Sequence, residues 1–181
     1  CREIEDVIKK HCAIMDEYDP KKHVALMLDE WGTWWDEEPG TIPGHLYQQN
    51  TLRDAFVASL SFDIFHKYTD RLKMANIAQI VNVLQSMILT KGKDMVLKMY
   101  NVHQDATYLP LDLNCEVMDV RDNRKVPIVS ATASKDKDGK IHISMSNIDA
   151  DNAQEITINL PDVKAKKAVG EILTSANLTD Y

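Results

Sequence analysis

Cysteine is scarce: Cys1, Cys12 and Cys115 are the only three in 181 residues, and no two have CxxC spacing. An odd, widely separated set argues against a disulfide framework or a zinc ligand pattern and leaves buried or idle thiols. Basic residues are also in deficit, with 21 Lys and Arg against 28 Asp and Glu and a net charge of −7. No basic stripe interrupts that balance, so neither nucleic acid nor an anionic membrane is an expected partner. Every apolar run is broken well before the ~18 residues of a membrane span. The six histidines, His11, His23, His45, His66, His103 and His142, show no HExxH or similar ligand spacing. Packing or surface positions account for them better than metal ligation. There is no GxSxG elbow, P-loop or GxGxxG among the scattered serines and glycines. No metal or organic cofactor is expected.

Two further absences concern extent. The first residue is Cys1 rather than Met, and helical periodicity starts at Arg2, so a processed or truncated chain is expected. With no apolar leader segment, localisation is not legible: cytoplasmic, periplasmic and secreted all stand open. The length allows one domain or two small ones, but not a complete eight-fold barrel, which takes roughly 250 residues. The composition, 44% hydrophobic and 27% charged, is that of a folded chain rather than a disordered one.

What is present divides by period. Ile4, Val7, Ile8, His11, Ile14 and Met15 recur at helical spacing, and Asp19-Pro20 ends that helix. The continuous run His23 to Leu28 reads as a strand buried on both faces of a parallel sheet. A long acidic and aromatic loop, Asp29 to Leu46, follows and is punctuated by Pro39-Gly40 and Pro43-Gly44. Helical spacing resumes over Gln48 to Lys67, and Leu72 to Ala78 reads as a second short strand before the apolar segment Ile80 to Leu89. From about Ala106 the texture becomes β-rich, with runs at Ile128 to Ala133, Ile141 to Met145 and Ile156 to Leu160. Asp138-Gly139 predicts a hairpin turn between the first two, and its faint likeness to a calcium loop lacks the required oxygen ligands. The second half reads as an antiparallel β-sandwich or part of one. Helices and strands first, strands alone afterwards, imply two domains, residues 1–104 and 105–181.

Chemistry concentrates in Leu28-Asp29-Glu30-Trp31-Gly32-Thr33-Trp34-Trp35. A Glu at the carboxyl end of a parallel strand occupies the position from which barrel enzymes act. Flat indole rings beside it suit the C–H faces of sugars. Spacing alone equally allows a solvated strand-end charge and a loop packed by its tryptophans. Asp36, Glu37 and Glu38 extend the acidity and read as a solvated loop. Glycoside hydrolysis characteristically uses two carboxyl groups flanking one bond. Asp29 and Glu30 are adjacent, so in a regular strand they point to opposite faces and cannot serve as that pair.

Residues 24–60 together with residues 70–90, the DEWG segment and the later MANIAQ and VNV segments, closely resemble alpha-L-arabinofuranosidases of glycoside hydrolase family 51. The likeness is strong from Glu3 to Pro110 and looser beyond. It implies the C-terminal part of a (β/α)8 TIM barrel followed by an antiparallel β-sandwich, in a retaining hydrolase that acts on arabinose-containing polysaccharides or oligosaccharides such as arabinan and arabinoxylan. It further implies Glu30 as the nucleophile, Gln79 as a hydrogen-bond partner of the arabinofuranose, Trp34 as the lining of a neighbouring subsite, and a structural role for Asn76. It implies no metal, and a homo-oligomer for the intact enzyme. The family's acid/base glutamate lies in a Gly-Asn-Glu motif that does not occur here. Between Leu97 and Lys98 the family usually carries a Thr-Pro-Thr-Tyr-His-Val-Phe-like stretch that this chain skips, either an unobserved loop or a genuine deletion. These departures lead us to expect a fragment that is inactive in isolation. The rival readings are a non-catalytic carbohydrate-binding module that uses Trp31, Trp34 and Trp35, and a family-51 endoglucanase.

Overall fold

The structure is a computed structural model that describes residues 2–90, 96–120, 123–161 and 163–180. Cys1, expected as an idle thiol, lies outside the described residues. Helix α1 runs Arg2–Tyr18 and turns Ile8 and Cys12 inward. Burial pushes the Cys12 thiol pKa up, so it behaves as a small apolar side chain. Strand β1 is Leu26–Trp31, three residues later than the apolar run suggests, and it is not buried on both faces. The cause is Arg71, 1% exposed, whose guanidinium donates to the Val24 carbonyl and to the Asp19 carboxylate, both at 2.8 Å. The Val24 N–H in turn donates to Asp19 Oδ2 at 2.8 Å. Residue 24 therefore belongs to the turn after α1, and sheet pairing begins where the Leu26 N–H meets the Arg71 carbonyl.

Helix α2, Leu52–Lys67, starts at the cap Thr51 rather than at Gln48. Its first two N–H groups do not go unpaired: Leu52 donates to the Asp180 carbonyl at 3.0 Å and Arg53 to that of Leu178 at 2.9 Å. Strand β2, Leu72–Ile77, lies parallel to β1, so β1, α2 and β2 form a β–α–β unit. Ile8, Cys12, Trp31, Ala58, Ile64, Phe65 and Leu72 make one core, in which the Trp31 ring meets Phe62 and Phe65 edge-on at 5.2 and 5.3 Å. Beyond β2, residues 80–89 form neither helix nor strand. A single parallel bridge, Val81 to Ile88, folds them back on themselves.

The short helix α3, Val96–Tyr100, spans the Leu97–Lys98 junction and continues into a 3-10 turn, Asn101–His103. Strands β3 (Thr107–Leu109), β6 (Val129–Lys135) and β7 (Ile141–Asn147) make an antiparallel sheet in the order β3-β6-β7. Strands β4 (Val117–Val120) and β5 (Arg124–Pro127) pair separately as a hairpin. The turn at Asp138-Gly139 forms as expected, with Gly139 at φ +82° and Asp136 Oδ1 accepting the Lys140 N–H at 2.8 Å. That use of Asp136 accounts for the residues that faintly resemble a calcium loop.

One expectation about this half is corrected. Ile156 to Leu160 is not a strand. Residues 152–160 run irregularly, with Ile156 and Ile158 exposed, and no described strand pairs with them. The described strands of this half form one three-stranded antiparallel sheet and one separate hairpin. Helix α2 packs on β6 and β7 through polar contacts from Ser59 to Ser146, Asp63 to Ser130 and His66 to Thr132. A row of small and hydroxyl residues on β6 lets the helix approach that face.

Candidate active site

Glu30 stands one residue before the end of β1. Gln79 stands two residues after the end of β2, beyond the Ala78 N–H that donates to the Trp31 carbonyl at 2.9 Å. Parallel pairing thus brings both residues to the same end of the sheet, and both side chains are exposed. The register explains how Glu30 is aimed. Leu28 pairs with Ala75 and Trp31 with Ile77, so β1 advances three residues while β2 advances two. The extra residue falls at Asp29-Glu30, and the bulge cancels the simple alternation expected there: both carboxylates are exposed. Among the described residues, no group donates a hydrogen bond to the Glu30 carboxylate, which leaves it open to a ligand.

The tryptophans separate into three roles. Trp31 is core. Trp35 is held by its indole N–H, which donates to Asp54 Oδ1 at 2.7 Å, and by the Arg53 guanidinium stacked 3.9 Å from its ring centre. Trp34 is the most exposed of the three, 69% against 40% for Trp35. Asn76 is exposed on β2. Glu37 and Glu38, read as solvated from the sequence, are half-buried and fasten the loop. Glu37 Oε1 accepts the N–H groups of Gly44 and Leu46 at 2.8 and 2.7 Å, and Glu38 Oε1 accepts that of Gln49 at 3.1 Å. Those bonds span the two Pro-Gly turns and fix the loop that bears Trp34.

Sequence reasoning misses the buried polar residues behind this loop: Thr33, Gln48, Asn50, Asp54 and Gln85. Only the spacing Thr51-x-x-Asp54, a capping box, hints at one of them. Gly32 is the joint between strand and loop. Its φ is +143°, and a Cβ there would lie 3.3 Å from the Ala78 carbonyl oxygen. Gly32→Ala is expected to cost about 1–3 kcal/mol and to loosen the strand ends. Denaturant unfolding checks this, and a change below ~0.5 kcal/mol would contradict it.

No group of three His, Cys, Asp or Glu side chains among the described residues is placed to hold a metal ion. No described helix is long and apolar enough to cross a membrane. An exposed carboxylate and an exposed amide at one sheet end, with an exposed indole on the loop that follows β1, suit a small polar ligand with a flat apolar face.

A family model described as the alpha-L-arabinofuranosidase C-terminal domain matches residues 29–181. The chain belongs to this family. The match takes in Glu30, Trp34 and Gln79, and so reaches back from the β-rich half across β2 and α2 to the last three residues of β1. Among curated relatives of this arabinofuranosidase-domain chain, an "Intracellular exo-alpha-L-arabinofuranosidase" of Bacteroides ovatus is 79% identical over 188 residues, 100% of this chain and 37% of the relative. The chain therefore spans little more than a third of that relative's length. The alignment is also seven positions longer than the chain, 188 against 181. Among solved structures, the GH51 arabinofuranosidase of Xanthomonas axonopodis pv. citri superposes with a TM-score of 0.74 at 53% identity, covering 81% of this chain and 31% of that one. A family 51 alpha-L-arabinofuranosidase of Bifidobacterium longum shares the fold, with a TM-score of 0.64 at 23% identity over 82% of this chain and 34% of that one.

Proposed function

We propose that this chain is the nucleophile-bearing part of a retaining exo-acting alpha-L-arabinofuranosidase. The observation that carries the proposal is the open Glu30 carboxylate at a bulge, on the same sheet end as Gln79 and four residues before the exposed Trp34. In this reading Glu30 attacks the anomeric carbon of a terminal arabinofuranosyl unit, Gln79 hydrogen-bonds its hydroxyls and Trp34 lines the neighbouring subsite. A retaining mechanism needs an acid/base carboxyl about 5–5.5 Å from the nucleophile. Asp29, adjacent in the chain and at the same bulge, is not assigned that role. The partner is instead supplied by a Gly-Asn-Glu segment in the remainder of the enzyme. The β–α–β unit is then two strands of a (β/α)8 barrel, and residues 105–181 belong to a second, β-rich domain. The natural partner is an arabinose-containing polysaccharide or oligosaccharide, and the intact enzyme is a homo-oligomer. The exo-acting activity for which the Bacteroides ovatus relative is named, at 79% identity, supports the exo specificity.

The test is a chimera in which this chain replaces the matching segment of the Bacteroides ovatus relative. We expect the chimera to release the aryl group from an aryl alpha-L-arabinofuranoside, and the 181-residue chain alone to release none, because it lacks both the acid/base carboxyl that activates water for turnover and most of the groups that would position the sugar. A second chimera restores the relative's seven additional positions. A folded but inactive protein in both forms would overturn the reading, as would full activity of the isolated chain.

A further inference from the structure

We propose that Asp54 is a positioning residue whose Oδ1 holds the Trp34 loop in register with the Gln79 loop, separately from the helix-capping work of its Oδ2. The proposal rests on the sugar-binding reading of Trp34 and Gln79.

Asp54 is 1% exposed and sits in the first turn of α2. Its two oxygens face different partners. Oδ2 accepts the Thr51 N–H at 2.9 Å and the Thr51 hydroxyl at 3.1 Å, and Arg53 Nη2 lies 3.6 Å away. That side closes the helix end. Oδ1 accepts the Thr33 hydroxyl at 2.9 Å and the Trp35 indole N–H at 2.7 Å, on either side of Trp34. The Asp54 carbonyl, in turn, accepts Gln85 Nε2 at 2.7 Å. Gln85 belongs to the segment folded back on Gln79, where the Met87 N–H donates to the Gln79 carbonyl and the Gln79 N–H to that of Val83. One buried residue thus touches the loop after β1, the loop after β2 and the helix between them.

Capping alone does not account for this choice. The Oδ1 bonds contribute nothing to the helix end, and burying a carboxyl group is costly unless several donors converge on it. Here the donors are supplied by the loop that carries Trp34. Gln48 extends the grip, with Nε2 donating to Thr33 Oγ1 at 3.0 Å and Oε1 accepting the Trp35 N–H at 3.0 Å.

The variants separate the two sides of the carboxylate. Thr33→Val with Trp35→Phe removes both Oδ1 donors and leaves the cap intact. Thr51→Ala removes a cap donor and leaves Oδ1 intact. In the chimeric enzyme, the double variant is expected to raise KM for an arabino-oligosaccharide about tenfold with kcat within about twofold, as for lost binding geometry. Thr33→Ser, which keeps the hydroxyl, stays within about twofold of the parent, and Thr51→Ala lowers Tm without moving KM. A second readout needs no activity. In the 181-residue chain labelled with fluorotryptophan, the Trp34 fluorine resonance is expected to shift or broaden in Thr33→Val and to stay in place in Thr51→Ala. An unmoved Trp34 resonance and unmoved KM in the Oδ1 variants would overturn the proposal, as would equal effects from Thr51→Ala. If Trp34→Ala leaves KM unchanged, the sugar-binding reading fails instead, and the fluorine spectra still decide whether Asp54 holds the loop.

Discussion

Glu30→Gln in the chimeric enzyme is expected to lower kcat by roughly 10⁴-fold or more, because it removes the atom that forms the glycosyl-enzyme bond. The size of the loss alone does not identify the role, since a lost general acid is also costly. Leaving-group dependence does. A general acid matters little when the departing aryloxide needs no proton, so an acid variant keeps most of its rate on a substrate with an acidic phenol. A nucleophile variant fails on every leaving group. Truncation to Glu30→Ala adds a second discriminator. Azide can enter the vacated space and displace the aryloxide directly, forming a carbon–nitrogen bond as the carbon–oxygen bond breaks. The product then has inverted anomeric configuration. Azide product of retained configuration, or near-parental turnover of the activated aryl substrate by Glu30→Gln, would remove Glu30 from the nucleophile position. The exposed, unbonded carboxylate at the bulge is compatible with attack, because no internal donor must be broken first.

The legible parts of the fold were those set by local periodicity and turn chemistry. Helix α1 stops at Asp19-Pro20, the two Pro-Gly turns punctuate the Trp34 loop, and Asp138-Gly139 closes the β6–β7 hairpin. Apolar runs misled where side chains bond to the backbone. Val24 looks like strand but is claimed by Asp19 and Arg71, so pairing starts later. Gln48 and Asn50 look like helix, but their amides are used by the loop: Gln48 bonds Trp35, and Asn50 Nδ2 donates to the Ser86 carbonyl at 2.8 Å. Ile156 and Ile158 have the residue types of a strand but no described strand beside them, and β propensity needs a partner to act on.

The candidate site divides the same way. Glu30 is proposed from residue type, position and resemblance, and Trp34 and Gln79 from the resemblance. The bulge that turns Glu30 outward was not, because it depends on the register against β2, which no local window contains. Asp54 was equally hidden. An acidic residue in the first turn of a helix is ordinary, and only the three-dimensional path of the Trp34 loop reveals what its second oxygen holds.

Stability of the interface between α2 and the β6–β7 sheet is expected to show two opposing pH dependences that cancel in the parent and separate in variants. Asp63, 1% exposed, accepts the Tyr100 hydroxyl at 2.9 Å and the Ser130 hydroxyl at 2.6 Å. Burial raises its pKa from 3.8 to about 6, against the lowering effect of those two bonds and of Lys67. From about pH 4 to 6 the folded state keeps a proton that the unfolded state has released. Stability therefore falls as pH rises through this window, by about 3 kcal/mol in all. His103 acts in the opposite sense. Its ring nitrogens meet Ser134 at 2.7 Å and Ser144 at 2.8 Å, with His66, His142 and Tyr100 around it. Burial lowers its pKa from 6.5 to about 4, helped by charge on His66 and His142, and burial lowers that of His66 as well. Between about pH 4 and 6.5 the unfolded state binds the proton first, so stability rises with pH. Asp63→Asn is thus expected to leave a profile that climbs from pH 4 to 6.5 and to exceed the parent above pH 6. His103→Gln should leave one that falls from pH 4 to 6, made shallower by His66. Asp19, Asp70 and Asp136, held below the ordinary carboxylate range, add stability that is lost as pH falls from about 5, so they act only at the acid end of that window and below it. Urea unfolding at intervals across pH 4–7 decides the matter. Parallel profiles for parent and both variants would show that neither group titrates out of its ordinary range.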